Sequence, residues 1–139
     1  MKVTDSPDGV ARLVGEVPGA PQEVFSWFTD ADLLTRWWPE RARLDARTDG
    51  DFELAWPSQD MRLLGRFLVF EPGARLVFTW SFAHEALDPR TVDIQFAAVD
   101  GRTRLTIDHT HGDDTDERQG YIDGWQFFIE RLRDSLSGS

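Results

Sequence analysis

The sequence predicts an α+β fold, a strongly curved antiparallel sheet of about six to seven strands wrapped on one long C-terminal helix. Three observations carry this. Between residues 41 and 110 apolar residues alternate with period two, broken by the turn dipeptides Asp49-Gly50, Pro72-Gly73 and Asp100-Gly101, as in an antiparallel meander. From Asp114 to Ser137 the period becomes helical, with Tyr121, Trp125, Phe128, Leu132 and Leu136 on one face. A curved sheet has a concave face to bury, and this helix is the one element long enough to cover it.

The elements follow in order. "GVARLVGEV", Gly9 to Val17, reads as a first strand. Pro21 suits the first position of a helix whose apolar face is Val24, Phe25 and Phe28. Asp30 caps a second short helix, "ADLLTRWW", which Pro39 stops. The meander then runs "ARLDART", "DFELAW", "MRLLGRFLVFE", "ARLVFTWSF", "TVDIQFAAV" and "RTRLTIDHTH". Asp114 caps the last helix, with Glu117 as the reciprocal acid of a capping box.

Composition narrows the function. The 139 residues suit one domain, with a core over about 10–137, as a monomer or homodimer. Ten Phe, six Trp and one Tyr are ample for a folded core; six Trp is a high count, and because indoles seek partners for their N–H groups several of them are expected to line something other than a dry core. A net charge of -10 opposes nucleic acid and anionic membrane surfaces as partners. Cysteine is absent, which excludes disulfides and thiolate chemistry. No apolar run has membrane-span length, and no signal-peptide pattern opens the chain, so a cytoplasmic protein is expected.

Chemistry-bearing motifs are few. His109 and His111 share a strand face with Leu105 and Ile107, an arrangement able to chelate, yet no third ligand is evident. No metal, no cofactor and no catalytic residue is therefore assigned. Trp37 and Trp38, adjacent in a helix, point about 100° apart, so one faces inward. Gly120 and Gly124 lie one turn apart inside the last helix and cost it roughly 1 kcal/mol each relative to Ala. Either the sheet or a ligand approaches the backbone there.

Five stretches in this order carry a resemblance: "LLTRWWPE", "GDFEL", "EPGARLVFTW", "TRLTIDHTH" and "GWQFFIERL". The chain resembles the START-like superfamily (SRPBCC, Bet v 1-like, helix-grip fold), and within it the activator of Hsp90 ATPase homologue 1-like proteins. A further resemblance, to self-resistance proteins for enediyne antibiotics, rests on Trp37-Trp38-Pro39, His109-Thr110-His111 and Gly124-Trp125. The resemblance implies a cavity between sheet and helix. The expected function is non-enzymatic binding of a small hydrophobic or aromatic ligand, lined by Trp37, Phe78, Trp80, Phe96, His109, Tyr121, Trp125 and Phe128. Sequestration of a natural product is one form of it. Two alternatives stand beside it: a chaperone-interacting module that uses its outer surface, and a cyclase or hydratase working through His109 or Tyr121.

Overall fold

A computed structural model of the chain describes residues 1–84 and 88–138. Strand β1 (Lys2–Thr4) and strand β2 (Val10–Pro18) lead into helix α1 (Pro21–Thr29) and the short helix α2 (Ala31–Leu34). Strands β3 (Arg41–Leu44), β4 (Asp51–Trp56), β5 (Met61–Glu71), β6 (Arg75–Phe82), β7 (Arg90–Val99) and β8 (Arg102–Thr110) follow, and helix α3 (Thr115–Ser137) closes the chain. The strands form one antiparallel sheet in the order β1-β2-β8-β7-β6-β5-β4-β3. Eight strands stand where six to seven were predicted. The addition is β1, whose three residues carry too little periodicity to be read.

The turn between β7 and β8 does what its residues dictate. Asp100 and Gly101 both take positive φ, 50° and 77°, and close a two-residue hairpin in the primed geometry that matches strand twist. Within β5 the register shifts between Phe67 and Val69, a bulge that bends the sheet. Gly65 lies opposite Phe52, and a Cβ there would stand 2.2 Å from both the Phe52 ring and the Thr79 carbonyl oxygen. Only glycine lets that ring lie across the strand.

The concave face buries Ala11, Leu13 and Val17 of β2, Val92, Ile94 and Phe96 of β7, and Leu105 and Ile107 of β8. Helix α3 packs on this region through Ile122, Trp125, Ile129, Leu132 and Leu136. That core stripe differs from the predicted one, since Tyr121 and Phe128 lie beside it, half-buried, rather than in it. The helix therefore carries two adjacent stripes that share Trp125.

Helix α2 is also shorter than predicted and ends at Leu34. Beyond it the amides of Trp37 and Trp38 both return to the Leu34 carbonyl, 3.2 and 3.0 Å away, in a tightened turn. Asp30 does cap it, accepting from the amides of Asp32 and Leu33. No helix among the described residues is long and apolar enough to cross a membrane.

Candidate functional site

The strands that build the core run on into a cavity. On β6, Leu76 and Phe78 are buried, and the same strand face continues to Trp80 and Phe82, half-buried. On β4, Phe52 and Leu54 lead likewise to Trp56. Helix α3 presents Glu117, Gly120, Tyr121, Gly124, Trp125 and Phe128 at helical spacing across the gap, with Trp38 between the two walls. The space is about 560 Å³ and open to solvent on one side, with Gln59, Met61, Asp114 and Asp116 completing the wall. Four of the six Trp side chains line it, with Phe82, Tyr121 and Phe128.

Trp38 is the hub of these rings. It stacks on Trp37 at 5.4 Å and on Trp80 at 5.9 Å, and meets Trp125 at 5.3 Å. Three indoles have fixed donors: Trp37 to the Trp27 carbonyl at 2.9 Å, Trp56 to the Trp38 carbonyl at 3.1 Å, and Trp125 to Nδ1 of His109 at 2.9 Å. The aromatic wall is thus set by hydrogen bonds as well as by packing.

His109 lies behind this wall, fully buried in mid-sheet between Ala11 of β2 and Val92 of β7. The Tyr121 ring stacks on it at 3.7 Å, nearly parallel, and Trp80 meets it edge to face at 4.6 Å. An indole N–H only donates, so Nδ1 must be the bare nitrogen and Nε2 carries the proton. Burial pushes the His109 pKa down to about 3; the Glu117 carboxylate opposes this, and the charges of His111 and Arg90 add to it. The ring is neutral at pH 7. Among the described residues, the buried donors Nε2 of His109 and Nε1 of Trp80 find no acceptor.

Glu117 anchors the mouth. Arg90 holds it in a fork, Nε to Oε2 at 3.0 Å and Nη2 to Oε1 at 3.2 Å. The Gly112 amide donates to it at 2.6 Å and the Tyr121 hydroxyl at 2.9 Å. Desolvation pushes its pKa up, but the Arg90 bonds, the Gly112 and Tyr121 donors and the Arg90 charge outweigh that and hold it at about 2. The expected capping box does not form. Asp114 caps the Asp116 amide at 2.8 Å, while Glu117 turns away from the cap to these partners.

Of the residues expected on the wall, Trp80, Tyr121, Trp125 and Phe128 stand on it. Trp37, Phe78 and Phe96 pack in the core instead, Trp37 and Phe96 against Phe28 and Phe78 against Phe52. Trp38, Trp56, Met61 and Phe82 line the cavity without having been assigned to it. Strand alternation names the face of Trp56 and Phe82 but not how far along it the core ends. Among the described residues, no group of three or more His, Cys, Asp or Glu side chains is placed to hold a metal ion.

Comparison with known proteins bears on this geometry. Residues 19–137 match the family described as activator of Hsp90 ATPase homolog 1-like protein. No curated protein matches the chain at a significant level. DynU16, a protein in the dynemicin biosynthetic locus, superposes with a TM-score of 0.84 at 24% identity over 94% of this chain. The chain spans 48% of the length of DynU16. CalU16 from Micromonospora echinospora superposes at 0.69 with 21% identity, covering 94% of this chain and 88% of its own. Protein MLL2253 from Mesorhizobium loti gives 0.80 at 20% identity, covering 94% and 98%. These likenesses establish the helix-grip fold.

Proposed function

The chain belongs to the family of activator of Hsp90 ATPase homolog 1-like proteins, and from that premise we propose that it binds a small hydrophobic or aromatic ligand, without chemistry, in the space between sheet and helix. The observation that carries this reading is the cavity itself. Some 560 Å³ bounded by seven aromatic side chains is the size and lining of a small-molecule site, whereas a purely structural core would close it. Burial of apolar ligand surface supplies affinity at roughly 25 cal/mol per Å² before the costs of association.

The wall also limits charge. Among the described residues it contains Asp114, Asp116 and Glu117 and no Lys, Arg or His. Neutral or cationic ligands are accepted and anionic ones disfavoured. The likeness to a protein of the dynemicin biosynthetic locus supports sequestration of a natural product, with self-resistance as its biological form.

Thermal shift of the purified chain against neutral, cationic and anionic aromatic compounds tests the reading, with quenching of the four wall tryptophans as a second readout. At a hundredfold excess over Kd a ligand adds about 2.7 kcal/mol. Neutral or cationic compounds should raise Tm and quench emission. Absence of any response across the panel would overturn the proposal. The chaperone reading keeps one support, the description of the family, and pull-down of Hsp90 by a chain whose cavity takes no ligand would favour it. Catalysis through His109 is disfavoured because the ring stands behind the wall, and Tyr121 already donates its hydroxyl to Glu117.

A further inference from the structure

Glycine inside a helix normally has one of three causes, and none applies to Gly120 or Gly124. Neither takes a positive φ, so the backbone does not require them. Helix α3 runs unbroken from Thr115 to Ser137, so they do not mark its end. Nothing among the described residues packs against them either: beyond the adjacent residues and the helix's own backbone, a Cβ at either position would meet no atom within 4 Å, in contrast to Gly65, where it would strike Phe52. Both instead face the cavity. Four residues apart, they bare about 6 Å of helix backbone, facing a space into which seven aromatic side chains also project.

Building on the ligand-binding reading, we propose that Gly120 and Gly124 form a flat shelf on which a planar, fused-ring portion of the ligand lies against the helix backbone. The two glycines are thus specificity-determining residues. A methyl group at either would lift a flat ring system off the backbone by most of a van der Waals contact. A compact, globular ligand touches the shelf at one point and is less affected. The wall favours the same shape, because aromatic faces stack on planar partners. Trp38, Trp80 and Trp125 supply those faces close to the shelf.

The test compares the wild type with Gly120→Ala, Gly124→Ala and the double variant. The probes are Nile red, which is planar and uncharged, and 1-adamantanol, which is compact and uncharged. Without ligand each variant should melt a few degrees higher, about 2–5 °C, because alanine is the better helix former and meets nothing. Nile red should bind each single variant about tenfold or more weakly, the scale of overpacking a filled site, and the double variant weaker still. The affinity for 1-adamantanol should change less than threefold. Equal affinity of wild type and double variant for Nile red would overturn the shelf and leave the cavity reading intact. So would a loss that is equal for both probes, since that marks reduced volume without selection for shape. A wild-type chain that binds neither probe would overturn both.

Discussion

His109 shows how one buried side chain makes stability depend on pH. Its Nδ1 accepts from Trp125 and its pKa lies near 3, against 6.5 for the free side chain. Below pH 6.5 the unfolded chain binds a proton that the folded ring refuses. The unfolded state then carries more protons, so folding stability falls as pH falls, by up to about 1.4 kcal/mol per pH unit until the folded ring itself titrates. Glu117, held near 2 against 4.5, adds its own loss below pH 4.5. Between 6.5 and 4.5 the slope belongs to His109. A His109→Gln variant, which keeps an acceptor for the indole, should flatten that part of a Tm-against-pH curve while its lower limb persists. Parallel curves for variant and wild type would refute the assignment. The same chemistry bears on Trp125→Phe, which leaves Nδ1 buried without a donor and should cost about 1–3 kcal/mol in urea unfolding.

At the scale of elements, the sheet and the last helix were legible because each repeats its signal many times. Three turn dipeptides located the hairpins, and alternation on β6 and β8 named the inward faces. What escaped reading was set by contacts between elements. "ADLLTRWW" has a good cap and good helix formers, yet the helix stops at Leu34 because the two indoles are drawn inward, Trp37 to the Trp27 carbonyl and Trp38 onto Trp80. Adjacent rings that a helix would splay 100° apart are stacked instead. The wall was half legible for a similar reason. Tyr121, Trp125 and Phe128 share one helix face, whereas Trp38, in the turn after α2, and Trp56 and Phe82, at the ends of β4 and β6, meet only in the folded chain. Gly65 makes an element-scale prediction. Gly65→Ala would force its methyl into the Phe52 ring and the Thr79 backbone, in a strand that cannot shift without breaking register with β4. We expect a loss of about 1–3 kcal/mol, read by chemical denaturation. The opposite sign is expected at Gly120 and Gly124, where the same substitution meets open space. Equal effects at all three positions would show that helix and sheet propensity alone decide.

For the whole molecule, the division of α3 into two stripes implies a division of stability. Its second half, with Ile129, Leu132 and Leu136, is locked into the core against the sheet. Its first half holds Ile122 and Trp125 on the core side and lines the cavity through Gly120, Tyr121 and Gly124. A segment with fewer apolar contacts and two glycines opens at lower free energy than one buried along its face. Amide hydrogen exchange should therefore be graded along the helix, with amides of 129–136 exchanging only near the global unfolding limit and those of 118–124 by local opening. A cavity ligand touches the first half alone, so its binding should slow exchange at 118–124 far more than at 129–136. The Arg90–Glu117 fork ties that half to β7, and Glu117→Gln, which removes its charge, should speed exchange at 118–124 without changing 129–136. Uniform protection along α3, with or without ligand, would mean that the helix opens as a single unit and that the cavity is not a weak point of the fold.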